Sequence, residues 1–185
     1  IEATVQPGEG LIVLRKRMIA EHPSLLTCTG LIARANQLEN PDALRPGEVL
    51  RIPLDRPSVL VDLSARWVFY RFDDEIAAAW PAGVGRPGQE TPTGRYTIGL
   101  KQEQPPWHPR GRPMVPYGDP ENPLGSHWLA WRDENGRLTD VGFHGTTGAD
   151  GVGEAVSMGC VRLRNEDVKV LHDTLPLDAE VTVQQ

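Results

Sequence analysis

The sequence predicts two folded parts: a small βααβ unit over residues 1–53 and a mainly β sandwich or barrel with one short helix over residues 58–185. Three observations lead there. Helix-spaced apolar residues are confined to the first part and to one late stretch, while the rest reads as short strands. Gly (19) and Pro (17) are abundant in the 185 residues, which favours strands joined by turns over long helices. Residues 54–57 form a short linker at which the pattern changes.

Taken in order, Ala3-Thr4-Val5-Gln6 reads as a strand and Pro7-Gly8-Glu9-Gly10 as a turn. Leu11, Leu14, Met18 and Ile19 recur at helical spacing, and Pro23 stops that helix. A second helix is expected from about Leu31 to Leu38, opened near Thr29, and Val49–Pro53 closes the unit as a strand. Roughly fifty residues can just build a core of their own. Beyond the linker, residues 59–63 and 67–72 form a hairpin pattern around Ser64-Ala65-Arg66. Further strands are expected at 94–99, 127–131, 141–144 and 180–183, with Asp133-Glu134-Asn135-Gly136 as a hairpin turn. Only Asn165 to Leu175 reads as helix there, with Asn165 as its N-cap and Val168, Leu171 and Leu175 on one face. Between Pro105 and Pro123 lie seven prolines, with Trp107 and Tyr117 among them. Proline withholds backbone donors, so this is a long structured loop, read as a lid beside the active site. Tryptophans 67, 80, 107, 128 and 131 are expected in the core, apart from Trp107 in the lid.

A net charge of −6 argues against nucleic acid as a partner, since phosphate binding needs a basic surface. No apolar run approaches the ~18 residues that span a bilayer. No secretory signal is visible, and the start at Ile1 reads as a trimmed or processed chain. Two cysteines, Cys28 and Cys160, are too few for a disulfide framework; they fall in different parts, so a bridge is not expected, and Cys28 reads as structural.

The most informative segment is His144-Gly145-Thr146, then Ser157-Met158-Gly159-Cys160-Val161-Arg162-Leu163. A thiol with its usual pKa of ~8.5 holds little thiolate at neutral pH, so a nucleophilic cysteine needs a partner. A histidine within hydrogen-bond reach supplies a base or an imidazolium. The sixteen residues from His144 to Cys160 allow a glycine-rich return loop that brings the end of one strand beside the next. Alternation along Val161-Arg162-Leu163 points Arg162 away from its neighbours. Equally, lone cysteines are often small buried hydrophobes, and residue chemistry alone leaves catalysis open. His127, His144 and Cys160 lack the Cys-x-x-Cys or His-x-x-x-His spacing of a zinc site, so neither metal nor cofactor is expected. His22, His108 and His172 carry no motif and are expected at the surface.

Residues 1–53 resemble the LysM module, which binds N-acetylglucosamine-containing glycans such as peptidoglycan. The resemblance is carried by Val5-Gln6-Pro7-Gly8-Glu9, Ile32-Ala33-Arg34-Ala35-Asn36, the stretch Asn40–Gly47 and Leu50-Arg51-Ile52-Pro53. Residues 58–185 resemble the L,D-transpeptidase catalytic domain: a His-Gly pair, then Ser-x-Gly-Cys followed by apolar, Arg, apolar. Upstream, Gly83-Val84-Gly85, Thr91-Pro92-Thr93-Gly94 and Pro123-Leu124-Gly125 fit the same pattern in order. Met158 stands where many members carry histidine, which leaves His144 as the base.

This second resemblance implies that Cys160 attacks the third stem-peptide residue and expels the terminal D-alanine, with His144 moving the proton. It implies that the Gly159 carbonyl orients the imidazole and that N–H groups near Gly159 and Cys160 hold the oxyanion. Arg162 would hold a substrate carboxylate or brace the site, and Ser157 and Gly145 would support it. The acceptor is an amine, giving 3→3 cross-links, or water, giving an L,D-carboxypeptidase; a non-catalytic wall-binding protein is the remaining alternative. The partners implied are peptidoglycan stem peptides and glycan strands, met by a secreted or cell-envelope monomer.

Overall fold

A computed structural model describes residues 1–109, 111–148 and 151–185. The first part has the expected order: β1 (Glu2–Thr4), α1 (Leu11–Glu21), α2 (Thr29–Ala35) and β2 (Val49–Arg51). The two strands pair antiparallel, with Ala3 opposite Leu50. Leu14, Met18, Ile32, Leu50 and Ile52 close an apolar core between strands and helices. The second helix stops at Ala35, short of the expected Leu38, because Asn36 is drawn to the strand. Its side chain accepts from Arg51 N at 2.7 Å and donates to Arg51 O at 2.7 Å. The left-handed backbone of Gln37 then turns the chain away.

The second part is one curled eight-stranded sheet. Its strands are β3 (Pro57–Asp62), β4 (Trp67–Phe72), β5 (Glu75–Pro81), β7 (Gly94–Glu103), β8 (His127–Arg132), β9 (Leu138–His144), β11 (Val161–Arg162) and β12 (Glu180–Gln184). The order across the sheet is β11-β9-β8-β7-β12-β3-β4-β5. Among the described residues its end strands β11 and β5 do not pair, so it is neither the expected sandwich nor a closed barrel. The inner face is covered instead by a helix, α3 (Asn165–Thr174). Val168, Leu171 and Leu175 pack there with Leu129, Trp131, Phe143, Val161 and Leu163, all fully buried. Of the five tryptophans only Trp131 is fully buried; Trp67 is 40% exposed, since it starts a strand next to a turn. Two short strands missed in the sequence, β6 (Val84–Gly85) and β10 (Ala155–Ser157), pair parallel as a separate ribbon. Two or three residues are too few to show a period.

The described residues of the proline-rich loop are tied together by their own polar groups. Trp107 and Val115 exchange backbone hydrogen bonds at 2.8 Å. The buried Asn122 amide donates to Pro105 O at 2.9 Å and Pro116 O at 3.1 Å. These are carbonyls that a run of prolines leaves without regular partners. The two parts meet where α2 abuts α3: Cys28 Sγ donates to Asp173 O at 3.3 Å, and a Cβ on Gly30 would lie 2.0 Å from that oxygen. Both cysteines are free thiols. Among the described residues no helix is long and apolar enough to cross a membrane.

Candidate active site

The site rests on the register of two parallel strands. Strand β11 runs beside β9 with Val161 opposite Phe143 and Arg162 opposite His144. Val161 and Phe143 are buried on the helix side. Alternation therefore turns His144 and Arg162 to the other face. One residue back in the same register, Cys160 stands beside Gly142, whose N–H reaches the sulfur. A Cβ at Gly142 would lie 2.1 Å from Leu129 O, so only glycine fits there. Trp128 on the next strand is in register with His144, their rings 6.3 Å apart.

His144 is 4% exposed, and its Nδ1 lies 2.5 Å from the Gly145 carbonyl. A carbonyl can only accept, so Nδ1 carries the proton and Nε2 presents the lone pair. The orienting carbonyl is therefore that of Gly145, a correction to the Gly159 expected from the sequence. The cause is local: Gly145 N donates to His127 O at 3.2 Å, which holds the peptide after His144 against the sheet end. Gly159 serves the turn instead. Its φ of +112° lies where glycine is favoured. Its N–H donates to Ser157 Oγ at 3.2 Å while that hydroxyl donates to Cys160 O at 2.6 Å, so Ser157 staples the turn that carries the thiol. Met158 is 59% exposed on that turn.

Burial disfavours the charged form of both groups. Burial pushes His144 down to about 4, against the pull of the Gly145 carbonyl. Burial pushes Cys160 up to about 11, with the Gly142 N–H and the Arg162 charge opposing it. Of the two activation routes open from the sequence, the directions of these shifts favour a neutral imidazole that takes the thiol proton during attack over a ready-made imidazolium partner.

Two of the upstream blocks singled out in the sequence, those at Gly83–Gly85 and Thr91–Gly94, pack near the cysteine turn. Gly83 bridges to Arg162 through paired hydrogen bonds of 2.8 Å, and Arg86 N donates to Ser157 O at 3.0 Å. Thr91 Oγ1 accepts from Gly85 N at 2.9 Å. Sequence reasoning missed Asn165. It is the first residue of α3, not the N-cap, which is Arg164. Its Oδ1 accepts from Ser126 N at 2.9 Å and Thr146 N at 3.2 Å, and its Nδ2 donates to Thr146 O at 2.9 Å. It thereby clamps the backbone next to Gly145. The expected cap is not formed, because the side chain serves another segment. Tyr117, Asn122, Gly125, Thr147 and Asn165 line a cavity of about 250 Å³ between this clamp and the proline-rich loop. The zinc trio considered from the sequence is not assembled, because His127 and Trp128 are consecutive on a strand and His127 faces away from His144.

Known proteins share this fold. Residues 56–183 match the YkuD family, described as the L,D-transpeptidase catalytic domain. The chain belongs to that family. Among curated relatives, the Escherichia coli K12 protein named L,D-transpeptidase ErfK/SrfK is 34% identical over 161 residues, covering 80% of this chain and 46% of that protein. The chain thus spans about half the length of that relative. A Bacillus licheniformis protein named L,D-transpeptidase YkuD is 26% identical over 185 residues, covering 97% of this chain and 96% of its own. The solved L,D-transpeptidase from Mycobacterium smegmatis shares the fold with a TM-score of 0.56 at 23% identity, over 71% of this chain and 59% of that one. Within this L,D-transpeptidase domain, Arg162 sits between the cysteine turn and Gly151, whose added Cβ would lie 2.8 Å from the guanidinium.

Proposed function

We propose that this chain is a peptidoglycan L,D-transpeptidase that works through Cys160. The observation that carries the proposal is the β9–β11 register, by which Cys160, His144 and Arg162 share one face. His144 Nε2 takes the thiol proton as sulfur attacks the carbonyl carbon of the third stem residue. The Cys160 N–H is the donor assigned to the developing oxyanion. Collapse of the tetrahedral species breaks the peptide C–N bond, and the imidazolium returns the proton to the departing D-alanine amine. An amine from a second stem then attacks the thioester, gives its proton to His144 and releases the thiol. Gly145 orients the imidazole, Ser157 and Gly159 shape the turn, and Arg162 binds a substrate carboxylate. The proline-rich loop acts as the lid that keeps water from the thioester.

Residues 1–53 are proposed as a LysM-like glycan-binding domain joined by residues 54–57 to the catalytic domain 58–185. Its βααβ order and separate core support this. Such a module would hold a monomeric enzyme on peptidoglycan in the cell envelope.

The test is incubation with purified disaccharide-tetrapeptide followed by mass spectrometry. Cross-linked dimers and a Cys160 acyl adduct are expected, and both must vanish in Cys160→Ser. Tripeptide without dimers would replace transpeptidation with the carboxypeptidase reading, and turnover surviving in Cys160→Ser would overturn the mechanism. Co-sedimentation of full-length Cys160→Ser with insoluble peptidoglycan, competed by N-acetylglucosamine oligomers, tests the glycan module.

A further inference from the structure

Behind the catalytic loop, on the helix side of the sheet, four side chains from three separate stretches of the chain converge. Glu103 ends β7 and is in register with His127 at the start of β8. His172 and Asp173 come from the last turn of α3. One donor atom from each, two imidazole nitrogens and two carboxylate oxygens, lies within 4.8 Å of all the others. We propose that Glu103, His127, His172 and Asp173 bind a divalent transition ion of the zinc class.

Several features fit an ion. Two imidazoles and two carboxylates are a borderline N₂O₂ donor set, neutral in sum with a dication. In a tetrahedral zinc site with bonds of ~2.0 Å, ligand atoms lie about 3.3 Å apart. His172 Nδ1 and Asp173 Oδ1 are already 3.2 Å apart. His127 is 7% exposed and its Nδ1 meets Ser126 Oγ at 2.7 Å. That leaves Nε2 for a metal, with the hydroxyl holding the ring as outer-shell groups do. The His127 and His172 rings stand 4.6 Å apart. Lys169 engages the other Asp173 oxygen, Oδ2, at 2.6 Å. The carboxyl-terminal end of a helix favours a cation. Entry is available, because Glu103, His172 and Asp173 line an open groove of about 440 Å³ that Cys28 and Gly30 border.

An ion there would tie β7 and β8 to α3 at the point where the first part docks on Asp173 O. It would also brace His127, whose carbonyl receives the Gly145 N–H. The site is on the opposite face from Cys160, so it supports structure and takes no part in acyl transfer.

The test uses the full chain, loaded with zinc, dialysed and measured by elemental analysis, with cobalt as a spectroscopic stand-in. One equivalent is expected, with d–d bands but no thiolate charge-transfer band. It should persist in Cys160→Ser and weaken at least about 100-fold in both His172→Gln and Glu103→Gln. Zinc should raise the melting temperature of the parent and of Cys160→Ser, but of neither ligand variant. No retained ion, or an ion lost with Cys160→Ser and kept by both ligand variants, would overturn the proposal. Neither result bears on transpeptidation, which is read separately.

Discussion

Acid should destabilise this protein through His144 in a measurable way. Burial moves the group from its ordinary 6.5 to about 4. Between those values the unfolded chain binds a proton that the folded chain refuses, so stability rises with pH across that window and falls as pH drops through it. At 1.36 kcal/mol per unit, the 2.5 units amount to about 3 kcal/mol. The group is 4% exposed, so solvent screening takes little off that figure. The perturbation is His144→Gln, which removes the titration while keeping a polar side chain. Urea unfolding of parent and variant at pH 7 and pH 4.5 isolates the effect as a difference of differences, which cancels every other titrating group. The parent should lose about 2–3 kcal/mol more than the variant on acidification. The ring signal lost in the variant should titrate near 4 by NMR. Equal acid sensitivity in the two proteins, or a midpoint at or above 6.5, would refute the neutral-imidazole account of the catalytic base.

Four further outcomes are expected. In a Cys28→Ser background, alkylation of Cys160 by iodoacetamide should accelerate about tenfold per pH unit from 7 to 10 without levelling, because burial sets the thiol near 11; a plateau below pH 8 would contradict it. Asn165→Ala removes three hydrogen bonds from the backbone beside Gly145 and should cost about 2–4 kcal/mol in urea unfolding. Its kcat should fall with KM little changed, since the base is displaced and substrate contacts are not; an unchanged kcat would sink the positioning role. Ser157→Ala unpins the Gly159 N–H and the Cys160 carbonyl, and should slow acylation at least about tenfold as read by adduct mass spectrometry. Gly30→Ala forces a Cβ to 2.0 Å from Asp173 O, so α2 must lift from α3 at about 1–3 kcal/mol, seen as faster Cys28 alkylation.

Much of this was legible from residue order. The βααβ unit followed from Leu11, Leu14 and Met18 at helical spacing, and α3 from Val168, Leu171 and Leu175. The strands flanking Asp133–Gly136 followed from the turn, where Asp133 Oδ1 accepts from Asn135 N and Arg137 N at 2.9 Å. Such signals are local, and periodicity reports them directly. Closure of the sheet was not legible, because sandwich, barrel and curled sheet share the same alternating strands and differ only in which edges meet. Surface placement of His172 also proved wrong: it is half-buried against His127, 45 residues earlier in the chain.

For the proposed cysteine site, the sequence by itself supplied the candidate reactive groups and their order, since Ser157-x-Gly159-Cys160 and His144-Gly145 are chemical facts about side chains and loop length. Tertiary structure decided how they are held. Which carbonyl orients His144 depended on Gly145 being tied to His127 O. The direction in which each group's pKa moves depended on burial, which no single segment specifies. The roles of Asn165 and of the Glu103–His127–His172–Asp173 cluster depended on β7, β8 and α3 meeting at one corner. Local chemistry is written along the chain, whereas distance, desolvation and shared partners arise only when separate stretches pack together.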